Sequence, residues 1–322
     1  MTEVAQTPAE AGHSTVRQTL ASWPLFIVIG LMLYGLLYFW SETLVYRHAD
    51  HNRFFAVATA PLETYDYVIL GASHALPLGY ADFNTRLEEA SGASVINLAN
   101  EGAGILPNQL ILDYFLADHA AHNVIFFLDS FAFYSPQWNE ERLDSGLLAR
   151  APFDPTLVAS LWQFPWARDE ILPYATGFTK INNQDRSAPD KTDAELTKFN
   201  TTYRPVPQID KQRVTYLYPD VIPEEIFARY LAEFEAMIET VEAQGGNFIV
   251  VKPPTPVRYR EALPGENQFD AAIAKIVERR GIAYHNFSEV LPGDENYYDT
   301  DHLNATGVAA FIEQHFAELL RD

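Results

Sequence analysis

Tyr67-Val68-Ile69-Leu70-Gly71-Ala72-Ser73-His74 decides the fold class of this chain. Its first four residues form a short apolar run, the pattern of a strand buried on both faces of a parallel sheet. A glycine closes the run, and a serine follows on a turn that should lead into a helix. Four further runs of the same kind lie at Ser94 to Leu98, Val124 to Leu128, Asn247 to Val251 and Ile282 to Phe287. Helical patterns separate them. The clearest runs from Pro223 to about Gln244, with Phe227, Tyr230, Leu231, Phe234, Ile238 and Val241 on one face and Gly245-Gly246 as a stop. Another starts near Glu266 and ends at Gly281, and the last runs from a capping Asn304 to about Leu320. Strands alternating with helices predict an α/β fold with a parallel five-stranded sheet covered on both faces.

The chain has 322 residues, 48% of them hydrophobic, enough for one large domain. It has no cysteine, which excludes disulfide scaffolds and thiolate metal sites. A formal net charge of −21 repels polyanions, so nucleic acid is not an expected partner. Residues 1–22, rich in Ala, Thr, Glu and Gln, read as a disordered tail. Residues 23–40, WPLFIVIGLMLYGLLYFW, carry no charge. At about 1.5 Å per helical residue they reach roughly 27 Å, close to the thickness of a bilayer core. Trp23, Tyr38 and Trp40 stand where interfacial aromatic residues belong. The run is long for a signal peptide, and bulky Phe39 and Trp40 follow where small residues should stand, so an uncleaved anchor is expected. A connector over 41–63 would then lead to the main domain at 64–322. Arg17 before the anchor and Arg47 and Arg53 after it favour a cytoplasmic domain, but this rule loses force before a long domain, and charge leaves the orientation open. The stretch from about 135 to 222 breaks the alternation with many prolines and with Trp138, Trp162 and Trp166. It is too long for an ordinary loop and reads as an insertion, either a lid or a partner-binding subdomain, or else a structural embellishment.

Three segments carry chemistry. Ser73 follows the first strand, where a turn at a helix N-terminus offers free backbone amides to an oxyanion; a plain helix cap is the alternative. Tyr298-Asp299-Thr300-Asp301-His302-Leu303-Asn304 follows the last strand. Asp299, three residues before His302, can orient the imidazole as His302 takes a proton from Ser73. Asn97-Leu98-Ala99-Asn100-Glu101-Gly102-Ala103-Gly104, after the second strand, has glycines whose amides can face an oxyanion. His74, beside Ser73, is a rival base, but neighbours on such a turn usually point apart; substrate binding or a structural role suits it better. Asp299, Asp301 and His302 could also ligate a divalent ion, although no second ligand cluster stands at helical spacing. Serine acyl chemistry needs no cofactor.

These segments resemble the blocks of the SGNH (GDSL-like) hydrolase superfamily. Gly71-Ala72-Ser73 is similar to its first block, which implies Ser73 as nucleophile. Asn97 to Gly102 resembles the second, which implies the Gly102 amide as an oxyanion donor. Asp299 and His302 match the Asp-x-x-His of the fifth. The resemblance covers about residue 65 to the end and implies a flavodoxin-like three-layer α/β/α sandwich. One block departs: the third normally supplies an Asn amide, whereas here the strand ends Phe127-Leu128-Asp129-Ser130-Phe131. The oxyanion hole would then rest on the amides of Ser73 and Gly102, helped by Asn100 or Ser130, with Asp129 left for substrate contact. Losing one such donor costs roughly 3 kcal/mol of transition-state stabilisation. With its anchor, the chain resembles the membrane-anchored branch represented by DltD and the alginate O-acetylation proteins. That likeness implies a periplasmic domain on the bacterial inner membrane, a cell-envelope glycan or acyl donor as substrate, and a membrane-bound O-acyltransferase as partner. A non-catalytic glycan-binding or docking subunit is the competing expectation.

Overall fold

The computed structural model describes residues 11–48, 52–188 and 191–321. Five parallel strands form one sheet: β1 Thr64–Leu70, β2 Val95–Asn97, β3 Ala120–Phe127, β4 Asn247–Lys252 and β5 Ala283–Asn286. Their order is β2-β1-β3-β4-β5, so the direction of winding reverses beside β1. Each strand coincides with one of the apolar runs, to within a few residues at the ends.

Alternation along β1 shows why both faces are covered. Val68 and Leu70 enter one buried cluster, and Tyr67 and Ile69 enter the other. Helices α1 Ala11–His48 and α2 Arg53–Ala58 precede β1, α3 Phe83–Ser91 lies between β1 and β2, and α4 Ile105–Asp118 between β2 and β3. The segment after β3 holds α5 Ser145–Leu148, α6 Pro155–Gln163, α7 Ile171–Ala175, α8 Phe178–Ile181, α9 Lys191–Lys198 and α10 Pro207–Leu217. Then follow α11 Glu224–Ala243, α12 Val257–Arg260, α13 Glu266–Arg280 and α14 Ala305–Phe311. Helices α4, α11 and α13 cover the Val68 face; α3, α14 and the residues after α14 cover the Ile69 face. Leu231 is only half-buried, and Met237 takes part in the α11 face instead. The last helical stretch is interrupted by a π turn at Ile312–Phe316.

α1 is long and apolar enough to cross a membrane, and only 6% of its apolar window is buried, unlike the core helix of a soluble domain. It begins at Ala11, within the stretch expected to be a disordered tail; residues 1–10 lie outside the described residues. Parts of the expected connector at 41–63 pack against the domain. Leu44 and Val45 on α1, and Phe54 and Val57 on α2, are buried because these apolar side chains find the domain surface. Asn52 caps α2 through Phe55 N–H, and Arg53 Nε donates to Ala99 O at 2.7 Å. The insertion contributes side chains to both buried clusters. Trp138, Leu157, Leu161, Tyr174 and Tyr218 belong to the Val68-face cluster, and Phe199 to the other.

Gly71 turns the chain out of β1 at φ +141°. A Cβ there would lie 2.8 Å from Phe127 Cβ and 3.0 Å from Phe127 O, both on the adjacent strand. Gly71→Ala is therefore expected to cost roughly 1–3 kcal/mol through strain and overpacking. A lower urea midpoint at unchanged slope would register it.

Candidate active site

The segments singled out above lie at the carboxyl ends of the strands, beside the reversal of winding at β1 and β3, where open α/β sheets bind ligands. Side-chain amides tie the loops together. Asn108 Oδ1 accepts from Gly71 N–H at 2.9 Å, and Asn97 Nδ2 donates to Ala75 O at 2.8 Å. Asn100 N–H donates to Gly71 O at 3.1 Å, which holds the second loop against the Ser73 turn.

Ser73 is buried, and its hydroxyl makes no hydrogen bond among the described residues. The expected helix N-terminus is absent at this point. The turn passes into a short 3-10 segment, Leu76–Gly79, whose Pro77 lacks an amide hydrogen, and α3 starts only at Phe83. Any oxyanion donor here is thus a turn amide rather than the end of an α-helix. Neither the Ser73 amide nor the Gly102 amide donates a hydrogen bond within the described residues. Gly102 sits at φ +61°, and a Cβ there would meet the Trp138 ring at 3.0 Å, so the position demands glycine.

The Asp-x-x-His loop is wound tightly. Tyr298 N–H donates to His302 O at 3.0 Å, and an antiparallel bridge joins Tyr297 to Leu303. Asp299 Oδ1 accepts from His302 N–H at 2.8 Å and from Asp301 N–H at 3.1 Å. The same carboxylate meets the imidazole: Oδ2 lies 2.8 Å from His302 Nδ1. Tyr298 stacks on the His302 ring at 5.7 Å, and Asn304 caps α14 through Gly307 N–H. The proton on Nδ1 is thereby assigned to the Asp299 side, leaving Nε2 as the acceptor. Arg213 Nη2 approaches that Nε2 to 3.5 Å, and no hydrogen bond joins it to Ser73 among the described residues. Burial alone would lower the His302 pKa; Asp299 and Asp301 outweigh it and hold it above the ordinary histidine value.

His74 is engaged by two carboxylates. Its Nδ1 pairs closely with Asp129, its Nε2 lies 3.4 Å from Asp301 Oδ2, and its ring centroid is 5.1 Å from that of His302. Asp301 Oδ2 also takes Arg213 Nε at 3.0 Å. The result is a buried chain of alternating charge: Asp129, His74, Asp301, Arg213. Burial would lower the His74 pKa, yet Asp129 and then Asp301 raise it to about 10, so His74 is an imidazolium at neutral pH. Burial would likewise raise the Asp301 carboxyl, and His302, Arg213 and His74 together hold it far below the usual range. For His74 either substrate binding or a structural role is expected, and for Asp129 substrate contact. The structure pairs them with each other, two desolvated opposite charges that satisfy one another. His74, Asp301 and His302 do bring three potential metal-ligand atoms within 4.8 Å of one another.

Ser130 is also corrected. Its hydroxyl donates to Glu266 Oε2 at 2.6 Å and meets the Tyr218 hydroxyl at 2.8 Å, so its one proton is committed to a carboxylate and not to an oxyanion. Asn100 stays beside the Ser73 turn through its backbone alone. A cavity of about 20 Å³, room for one water, adjoins Asp129 and Tyr259, whose Oδ2 and hydroxyl are buried without a protein partner. Sequence reasoning missed Arg213, Tyr218 and Glu266. Arg213 comes from inside the insertion, where no periodic or motif signal marks it. Asp301 was weighed only as a metal ligand, although its place between Asp299 and His302 in the motif was visible.

No protein-family model matches the chain, and no curated protein matches it. A crystal structure from Bacteroides fragilis NCTC 9343, provisionally assigned as an acylhydrolase, aligns over 82% of this chain and 94% of its own at 10% identity and a TM-score of 0.40. At that similarity the likeness carries no functional inference.

Proposed function

We propose that this chain is a membrane-anchored serine acyltransferase or esterase of SGNH type, acting on O-acyl groups of a cell-envelope polysaccharide. The observation that carries the reading is the His302–Asp299 pair: a buried imidazole, its Nδ1 held 2.8 Å from a carboxylate, in the same cluster as the residue next to Ser73. In the proposed cycle Ser73 Oγ attacks the acyl carbonyl, and His302 Nε2 takes the hydroxyl proton. The amides of Ser73 and Gly102 hold the oxyanion. Collapse breaks the bond to the leaving alcohol, which takes the proton back from His302. A sugar hydroxyl, or water, then gives its proton to His302 and attacks the acyl-serine; the acyl–Oγ bond breaks and Oγ takes the proton from His302, which restores Ser73. The reaction requires the Ser73 side chain to turn to Nε2 in place of Arg213. α1 supports an anchored protein; a periplasmic domain on a bacterial inner membrane, partnered by a membrane-bound O-acyltransferase, completes the proposal.

Turnover of a small aryl ester tests it. His302 must be neutral to act, and its pKa is raised, so the acid limb of kcat/KM should fall above pH 6.5. Asp299→Asn removes the carboxylate that raises it and fixes the tautomer. The limb should move to lower pH and kcat should drop by roughly 10⁴-fold. An unchanged rate and profile would reject the assignment. The binding-subunit reading is favoured by the lack of a Ser73–His302 hydrogen bond among the described residues and by Arg213 at Nε2. A well-folded wild type with no ester turnover would support it.

A further inference from the structure

We propose that α6–α8 of the insertion form a second membrane contact, an apolar foot seated in the lipid interface beside α1. This rests on the reading of α1 as a membrane anchor. Tyr34, inside the apolar run of α1, donates from its hydroxyl to Thr176 O at 3.1 Å. Tyr38 packs so closely on Gly177 that a Cβ there would meet its ring at 2.1 Å. Glu42 is the first charge after the apolar run, and Tyr34 lies about 12 Å before it along the helix at about 1.5 Å per residue. The Thr176–Gly177 turn therefore touches α1 at a depth that belongs to the membrane.

The residues flanking that turn suit such a place. Leu172, whose carbonyl accepts from Thr176 N–H at 3.0 Å, is 71% exposed, and Phe178 is 53% exposed. Trp162 and Trp166 on the same segment are exposed as well, and tryptophan favours the interfacial zone. Four large apolar side chains left in water on one segment are costly, and burial in lipid removes that cost. Charge marks the upper boundary. Lys180 pairs with Glu42, the Arg186 guanidinium lies 4.9 Å over the Trp40 ring, and Arg150 Nη1 donates to His48 O at 2.8 Å. Exposed Arg168 and Asp169 between Trp166 and Leu172 place that stretch at the headgroups, with Leu172 and Phe178 reaching below them. Two contacts, α1 and the foot, would fix the tilt of the domain on the membrane, whereas a single helix leaves it free to rotate.

The chain lacks cysteine, so single bimane labels can be placed in the full-length protein at Leu172→Cys, Phe178→Cys, Met32→Cys and Lys275→Cys, the last an exposed residue of α13. In vesicles of phosphatidylcholine and phosphatidylglycerol with brominated acyl chains, labels at 172 and 178 should lose fluorescence, as the label at 32 does, while 275 stays bright. Quenching at 32 with full fluorescence at 172 and 178 overturns the foot and leaves the anchor standing. No quenching at 32 removes the anchor, and the foot falls with it. Labels at 172 and 178 that stay bright in pure lipid, yet resist aqueous thiol reagents when unlabelled in native membranes, would assign the surface to a protein partner and also overturn the proposal.

Discussion

Ser73→Ala is expected to lower acyl transfer by roughly four to six orders of magnitude. The size follows from the role: without Oγ there is no acyl-serine, and only water held near the amides of Ser73 and Gly102 remains to react. The variant should fold as the wild type does. The Ser73 hydroxyl makes no hydrogen bond among the described residues, so its removal leaves no buried group stranded. Unfolding midpoints matched within error, with turnover lost, separate the chemical role from a structural one. Retained turnover in Ser73→Ala would move the nucleophile elsewhere.

His74→Gln should show the opposite pattern, a large loss of stability. His74 is the positive charge between two buried carboxylates, Asp129 and Asp301. Removing it leaves an uncompensated buried charge, which costs about 3–5 kcal/mol, and a melting temperature lower by on the order of 5–10 °C. The pH dependence has a definite sign. The folded pKa of His74, about 10, stands above the ordinary 6.5, so its contribution is full below pH 6.5 and fades as pH rises toward 10. Asp301 is shifted the other way, so its contribution is present above the ordinary 3.8 and fades as pH falls below it. Wild-type stability from this cluster is therefore greatest between pH 3.8 and pH 6.5, and in His74→Gln the alkaline fade attributable to His74 should vanish. Thermal melts from pH 6 to 10 read both effects. A His74→Gln protein as stable as wild type, with the same alkaline slope, would contradict the buried imidazolium.

The sheet was legible because buried parallel strands are apolar throughout: Tyr67 to Leu70 and Asn247 to Val251 leave no other reading. The Asp299–His302 pairing was legible because a three-residue spacing lets one carboxylate reach both the backbone and the ring of the same histidine, and it does. The environment of His74 was not. Its partners come from the end of β3 and from the last loop, and Arg213 from the middle of the insertion, brought together only by the packed fold. The segment after the anchor misled for a related reason. Val45, Phe54 and Val57 are too sparse to show a period, yet each finds the domain surface. Pro77 and Gly79 could have signalled that no α-helix starts directly after Ser73.

The decisive measurement is labelling of the full-length protein by a fluorophosphonate, with the modified residue mapped by peptide mass and wild type compared with Ser73→Ala and His302→Ala. The reagent reports an activated serine without the natural acyl group. Modification of Ser73 in wild type, lost in Ser73→Ala and suppressed in His302→Ala, is the predicted result. A folded wild type that stays unmodified, or one modified at Ser73 equally well without His302, would contradict the Ser73–His302–Asp299 assignment.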